Sequence, residues 1–208
     1  MSLSLRIAVI GTGNVGAPLG RRLATLGYHV AFGARDVAAA AEKLPDAWVM
    51  SQKEAASDAD VVILTVPANV AVSSARHLDM RPGTILVDTT NPLKWDGGPV
   101  WDPPAEGSMT AALAAALPGI RVVKGFSHFG AETHENPMVS GMAADMFVAG
   151  DSDEAKQVVM QLGRELGYNS LDAGPLRNAS LLENLAMLWI QMAVTGKGRQ
   201  FAFKLIDR

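Results

Sequence analysis

Residues 6–16 decide the fold predicted for this chain, and they read RIAVIGTGNVG. The β-branched run Arg6–Ile10 is typical of a short buried strand. A glycine-rich turn follows it, and Val15–Leu26 then has the apolar spacing of a helix. A strand, a G-x-G-x-x-G turn and a helix in this order are the signature of a dinucleotide-binding βαβ unit.

The glycines of this turn have separate geometric tasks. Gly11 permits the tight turn, Gly13 lets the backbone approach a pyrophosphate, and Gly16 lets the helix pack close to the strand. The free N–H groups at the start of the helix face the anion. We therefore expect this turn, made of Gly11, Thr12, Gly13, Asn14, Val15 and Gly16, to bind the cofactor.

The same alternation of strand and helix continues along the chain. Strands are predicted at Tyr28–Phe32, Val61–Val66, Thr84–Asp88, Arg121–Phe126, Asp145–Ala149 and Asn169–Asp172, and helices at Val37–Leu44, Val70–Leu78, Ser108–Leu117, Asp153–Leu166 and Asn178–Val194. This pattern predicts an α/β fold with a doubly wound, mostly parallel sheet of the NAD(P)-binding Rossmann type. We expect one domain over 1–208, with a dinucleotide-binding core at 1–125 and a small C-terminal region at 126–208.

Composition limits the possible functions. The chain has 208 residues, 49% of them hydrophobic, a net charge of −3 and no cysteine. The absence of cysteine excludes disulfides, thiolate catalysis and Cys-type metal sites, and it is compatible with a cytoplasmic location. The acidic balance argues against nucleic acid as a partner, and no apolar stretch is long enough for a membrane span. No metal site is predicted, because the spacing of His128, Glu132, His134 and Glu135 matches no metal motif.

The end of the second strand indicates which dinucleotide is bound. NAD enzymes usually place Asp or Glu there to bind the ribose 2′-hydroxyl, whereas this chain has Ala34 followed by Arg35. A guanidinium can bind a 2′-phosphate through paired hydrogen bonds, so NADP is the expected cofactor. Asp36 is interpreted as the N-cap of the next helix.

Later strand ends supply the rest of the expected site. Thr65, Val66 and Pro67 at one strand end and Asn91 at the next are candidate cofactor-binding residues. Thr65 and Asn91 are suited to bonding ribose or carboxamide groups, and Pro67 stiffens the turn beside the nicotinamide. His128 is a candidate acid or base, or it contacts a ring or has a structural role. In the proline-rich segment 91–107, interpreted as a long ordered loop or lid, Trp95 and Trp101 either stack on a planar ligand or anchor the loop.

The final helix is expected to be buried, either within the subunit or against another one. Its apolar positions cover most of its circumference. We therefore predict a homodimer formed through this helix.

Several segments resemble the coenzyme F420-dependent NADP oxidoreductase family. They are the Gly11–Gly16 turn, residues 22–27 (RLATLG), Ala34 with Arg35, residues 64–67 (LTVP) and, more distinctively, residues 171–176 (LDAGPL) with Asn178 and residues 182–185 (LENL). The resemblance extends from the first strand to the last helix. It implies NADP on the N-terminal unit, with Phe126, Ser127 and His128 facing a second redox ring.

The resemblance implies hydride transfer between NADP(H) and a second planar partner such as deazaflavin F420, a flavin or a small organic acceptor. Segments 91–107 and 125–130 differ from those associated with deazaflavin-reducing members, so the acceptor stays open. The alternative is an NADP(H)-binding sensor or interaction module without turnover.

Overall fold

The computed structural model describes residues 5–206, whose centre is an eight-stranded sheet. Residues 1–4 and 207–208, which the single-domain prediction also included, lie outside this range. The strands are β1 (Arg6–Ile10), β2 (His29–Ala34), β3 (Trp48–Ser51), β4 (Val61–Leu64), β5 (Ile85–Asp88), β6 (Leu93–Trp95), β7 (Pro99–Trp101), β8 (Arg121–Lys124), β9 (Met138–Val139), β10 (Met142–Ala143), β11 (Asp145–Gly150) and β12 (Asn169–Asp172).

Helices follow most of the strands of this sheet. They are α1 (Gly16–Thr25), α2 (Val37–Lys43), α3 (Gln52–Ser57), α4 (Ala68–Arg76), α5 (Met109–Ala116), α6 (Ala131–Glu135), α7 (Asp153–Glu165) and α8 (Ala179–Met192). Among the described residues, none of these helices has both the length and the apolar character needed to cross a bilayer.

The strand order confirms the predicted fold class. Across the sheet the order is β12-β11-β8-β5-β4-β1-β2-β3. All neighbours pair in parallel except β8 and β11, which are antiparallel. The structure is therefore an α/β fold with a mostly parallel sheet. The order reverses direction at β1, which is where such sheets bind ligands.

Two apolar layers cover the sheet, one on each face. On one side the buried residues of α1 and α7, such as Leu19 and Val159, pack against β1 and β8. On the other side, α3, α4 and α5 contribute mainly alanines, such as Ala56 and Ala71, which let these helices lie close to the strands. Strands buried on both faces read as continuous apolar runs, and Val61–Leu64 has no exposed residue.

Two parts of the predicted organisation differ from the structure. The segment 91–107 contains an antiparallel hairpin, β6–β7, in which Leu93 pairs with Trp101 and Trp95 with Pro99. The pair β3–α3 was missed, although a capping box between Ser51 and Glu54 marks the start of α3.

The final helix is buried within the described chain on one face only, so its expected burial against another subunit stays a prediction for the other face. Leu182, Ala186 and Trp189 are buried, but Leu181 and Leu188 are 64% and 51% exposed. The buried face packs against this chain, so only part of the apolar circumference is used by the fold that the structure describes.

The end of the chain is tied to the sheet through Asp145, the first residue of β11. Its carboxylate accepts hydrogen bonds from Asn169 Nδ2 at 2.6 Å, Lys204 Nζ at 2.7 Å and Leu205 N. Burial alone would raise the pKa of Asp145, but these donors outweigh it and leave the pKa below its usual range.

We expect Asp145→Asn to lower the free energy of unfolding at pH 7 by about 1–3 kcal/mol, because charge-assisted hydrogen bonds are lost. Since the folded-state pKa is depressed, the stabilisation is present above the unfolded pKa of about 3.9 and is lost as the pH falls through the folded value. Urea unfolding should therefore show a difference in the free energy of unfolding between the variant and the wild type that is smaller at pH 3 than at pH 7. Asp79→Asn, at an exposed carboxylate, is the control. If Asp145→Asn lowered the free energy of unfolding equally at both pH values, the stabilising role of the Asp145 carboxylate would be contradicted.

Candidate functional site

A cleft of about 1190 Å³ lies where β1, β2 and β4 end. Its walls come from the glycine turn, the end of β2, helix α2, the end of β4 and helix α4. The lining residues are Gly11, Thr12, Gly13, Gly33, Ala34, Arg35, Asp36, Ala39, Ala40, Lys43, Gln52, Thr65, Val66, Pro67, Asn69, Val70, Ser73, Ser74 and His77. The structure thus brings together most of the predicted cofactor residues on one surface.

The three glycines of the turn differ in the space around them. Gly11 has a φ of +110°, and a Cβ there would lie 2.7 Å from Thr65 Oγ1. A Cβ on Gly16 would lie 2.0 Å from the Gly11 carbonyl oxygen. Gly13 has nothing within 4 Å of its Cβ position. Gly11 and Gly16 are therefore required by the protein's own packing, whereas Gly13 leaves open space that a pyrophosphate can fill.

Thr65 holds the turn in place. Its hydroxyl lies 3.0 Å from the carbonyl oxygens of both Ile10 and Gly11. Val66 and Pro67 continue from it along the cleft wall, and Pro67 occupies the N-cap position of α4. The Thr65 side chain thus stabilises the loop itself, in addition to lining the cleft.

The end of β2 has the predicted small, neutral residue followed by an exposed guanidinium. Ala34 closes the strand, and Arg35 lines the cleft beside it. Asp36 caps α2, as predicted, by accepting a hydrogen bond of 3.0 Å from Ala39 N. Lys43 lines the same wall at the far end of α2 and adds a second positive charge.

Helix α4 supplies a polar wall that the sequence predictions missed. Asn69, Ser73 and His77 line the cleft, and they lie four residues apart on one helix face. Their spacing could have predicted this wall. Polar residues at i, i+4 and i+8 lie on one face of a helix, opposite the buried Ala71 and Ala75.

The predicted residues of later strand ends lie outside these cleft walls, at the ends of β5 and β8. Asn91 Nδ2 donates to the Ser127 carbonyl oxygen at 2.7 Å, which links the two strand ends. Among the described residues, Asn91 Oδ1, Ser127 Oγ and His128 Nδ1 are buried with no hydrogen-bond partner.

Phe126 and His128 are both almost fully buried. Phe126 has a φ of +54°, and its ring packs edge-on against Tyr168 with centroids 5.8 Å apart. His128 is 1% exposed, and its Nε2 lies 3.0 Å from the Asp145 carbonyl oxygen. Burial lowers the pKa of His128 to about 4, so the imidazole is neutral near pH 7. The side chain of Phe126 belongs to the core, and His128 is poorly placed as an acid.

A buried ionic cluster lies beneath these strand ends and was also missed. Lys124 Nζ lies 3.1 Å from Asp88 Oδ2 and 3.6 Å from Glu183 Oε1, and all three side chains are fully buried. Glu183 also accepts hydrogen bonds from Trp101 Nε1 at 2.9 Å and Met109 N at 2.8 Å. Burial raises the pKa of Glu183, while Lys124 opposes that rise. Trp101 thus anchors the β6–β7 hairpin, whereas Trp95 is 60% exposed.

The acidic and histidine residues near His128 have other partners. Glu132 binds Arg199 with a contact of 2.6 Å, and His134 Nδ1 lies 3.1 Å from the Tyr168 hydroxyl. Within residues 5–206, no three His, Asp or Glu side chains are grouped so as to hold a metal ion.

The chain is similar to one family and to several characterised proteins. The family model described as "NADP oxidoreductase coenzyme F420-dependent" matches residues 6–92. The F420-dependent NADP reductase of Methanothermobacter marburgensis is 27% identical over 98% of this chain and 99% of its own length. The metalloreductase STEAP3 of Rattus norvegicus is 29% identical over 88% of this chain, which spans only 36% of that relative.

A solved structure with the same overall architecture supports these matches. It comes from Arthrobacter sp. FB24 and is provisionally described as an F420-dependent NADP reductase. The two chains superpose with a TM-score of 0.87 at 27% identity, covering 98% of this chain and 100% of the other. The resemblance predicted from the sequence is confirmed.

We expect Gly16→Ala and Gly13→Ala to separate packing from binding. Gly16→Ala should lower the free energy of unfolding by about 1–3 kcal/mol, because its methyl group meets backbone. Gly13→Ala should change it by less than about 0.5 kcal/mol, yet weaken dinucleotide binding at least about tenfold, because the methyl group stands where a pyrophosphate approaches. Thermal unfolding and fluorescence titration measure the two effects. Equal stability losses in both variants would contradict these separate roles.

Proposed function

We propose that this chain, a relative of the F420-dependent NADP oxidoreductases, is an NADP-dependent oxidoreductase. It transfers hydride between NADP(H) and a second planar redox partner. The core, 1–125, holds the dinucleotide, and the C-terminal region, 126–208, forms the acceptor side and the subunit contact.

One observation carries the proposal: the open space at Gly13 and the guanidinium of Arg35 lie on the same cleft. The turn presents backbone N–H groups at the start of α1, which suits a pyrophosphate. Arg35 is assigned to the 2′-phosphate of the adenosine ribose, and Lys43, on the same cleft wall, adds a second positive charge for it. We assign phosphate contacts to Thr12, Gly13, Asn14 and Val15, and contacts with the nicotinamide ribose to Thr65, Val66 and Pro67.

The chemistry requires orientation of two rings and exclusion of water more than proton transfer by the protein. NADPH, when bound, supplies a hydride, and the reduced acceptor takes its accompanying proton from water. The hairpin anchored through Trp101 and the ends of β5 and β8 limit where a second ring can lie. His128, neutral and buried, orients these strand ends and transfers no proton in this proposal.

The second partner is a deazaflavin, a flavin or a small organic acceptor. The similarity to archaeal F420-dependent reductases favours deazaflavin, and the similarity to a metalloreductase is the reason to include a ferric chelate in the test. The hairpin within 91–107 and the turn after β8 are the segments expected to choose between them.

The second candidate is an NADP(H) sensor without turnover, and His128 is the observation that favours it. The one candidate acid or base of the predicted site is neutral and buried. Cytoplasmic location and the absence of a nucleic-acid partner stay predictions from composition.

We further propose a homodimer through the outer face of α8. Leu181, Leu185, Leu188 and Met192 recur at the spacing of one helix face, and Leu181 and Leu188 are exposed. An apolar stripe of this kind marks a contact with another protein surface, and a second copy of the chain gives a symmetric, self-complementary one.

The function is tested by titrating NADPH and NADH into the wild type and Arg35→Ala. The variant should bind NADPH more weakly by about 1–3 kcal/mol and NADH almost unchanged, because only NADPH carries the 2′-phosphate. Arg164→Ala, an exposed arginine on α7, is the matched control. Equal losses for both dinucleotides would refute the role of Arg35.

Deazaflavin F420, FMN and a ferric chelate are then added to the NADPH complex. Loss of the NADPH absorbance with one acceptor establishes the oxidoreductase and identifies its partner class. Tight binding of NADPH without oxidation by any of them would favour the sensor.

For the homodimer, we expect sedimentation of the wild type at micromolar concentration to give twice the monomer mass. Leu188→Glu should give the monomer, because a charge on the stripe cannot be buried without a partner. Leu205→Glu, at a similarly exposed leucine on the C-terminal tail, should remain dimeric. A wild type that sediments as a monomer removes the proposal.

A further inference from the structure

We propose that Asn91 and Ser127 form a recognition site for the N–H and C=O groups of an amide. The amide belongs to the nicotinamide carboxamide or to the imide edge of a flavin-type acceptor. This inference rests on the proposed function and names which protein atoms orient a ring for hydride transfer.

The orientation of the Asn91 side chain is fixed by its neighbour. The Ser127 carbonyl oxygen can only accept a hydrogen bond, so the atom 2.7 Å away must be Nδ2 of Asn91. The other end of the side chain is therefore Oδ1, an acceptor. It is buried and has no partner within the part of the chain that the structure describes.

Ser127 provides the complementary atom. Its residue is 5% exposed, and its Oγ is likewise without a partner among residues 5–206. A buried hydroxyl that makes no hydrogen bond costs free energy, so such atoms require an explanation. The hydroxyl can donate to a carbonyl oxygen, and Asn91 Oδ1 can accept from an amide N–H.

The backbone before Ser127 supports a ligand-binding role. Phe126 is a buried, non-glycine residue with a φ of +54°, a conformation that costs energy. The conformation turns the chain out of the β8 direction directly before Ser127. Such residues are held by surrounding packing, here the contact with Tyr168, and they cluster at ligand sites.

The position of the pair agrees with the path of an extended dinucleotide. β4, β5 and β8 are adjacent strands, and the residues after β4 line the cleft. Asn91 and Ser127 follow the next two strands along the sheet, beyond the nicotinamide ribose contacts proposed above. The pair therefore lies at the end where the nicotinamide meets the acceptor.

Ser127→Ala is the first test, because it removes an atom that has no hydrogen-bond partner among residues 5–206. The melting temperature should stay the same or rise, while the dissociation constant for NADPH, for FMN or F420, or for both should increase about 3- to 10-fold. Ser170→Ala removes another buried hydroxyl, on β12, that has no hydrogen-bond partner in the described part of the chain, and it serves as the matched control. It should leave every dissociation constant unchanged.

The 3-acetylpyridine analogue of NADP identifies the source of the amide, because a methyl group replaces the NH₂ that would donate to Asn91. If nicotinamide is the source, the wild type binds NADP about 3- to 10-fold more tightly than the analogue. Asn91→Leu then loses this preference, and Ser127→Ala retains it. If the wild type shows no preference and Ser127→Ala weakens only FMN or F420 binding, the acceptor's imide edge is the source.

Unchanged binding of both ligand classes by Ser127→Ala would overturn the inference, while NADPH binding that depends on Arg35 would still support the proposed function. A wild type that binds no NADPH would overturn both.

Discussion

The region where α8, the β6–β7 hairpin and the central strands meet depends on Lys124. Its ammonium group is fully buried between Asp88 and Glu183. A buried charge must be paired, and removing one partner of such a cluster costs about 3–5 kcal/mol. Asp88 and Lys124 end the neighbouring central strands β5 and β8, and Glu183 belongs to α8. The ionic contact therefore fixes α8 against the carboxyl ends of these strands.

Glu183 extends this constraint to the lid. One carboxylate oxygen accepts from the start of α5 at Met109, and the other accepts from Trp101 on the hairpin. The hairpin tip reaches the same helix, because a Cβ on Gly98 would lie 2.9 Å from Gln191 Oε1. The β6–β7 hairpin is thus held against α8 both through Trp101 and at its tip. The proposed transfer between two rings needs their orientation and the exclusion of water, and such preorganisation favours both.

The geometry of the glycine turn and the cap at Asp36 were predictable because their determinants are local. The roles of Gly11, Gly13 and Gly16 follow from one turn, and the Asp36 cap follows from three residues of sequence. The Lys124 cluster was not predictable in this way, since its members come from β5, β8 and α8 and meet only after folding. Burial of Glu183 in particular runs against the usual exposure of glutamate, and no spacing in the sequence signals it.

The two halves of the site also differ in how completely their polar atoms are satisfied. Around the glycine turn, the Thr65 hydroxyl donates to the loop and the Asp36 carboxylate accepts from α2. These contacts within the protein preform this half. At the ends of β5 and β8, Asn91 and Ser127 retain buried polar atoms without partners in the described chain, beside the left-handed backbone of Phe126. Buried polar atoms are normally paired, and this is why we propose that a ligand completes the half at the ends of β5 and β8. The local sequence determines the turn and the cap that preform the first half, whereas the polar atoms at the ends of β5 and β8 meet only after folding. The sequence therefore predicts the cofactor more readily than it predicts the acceptor.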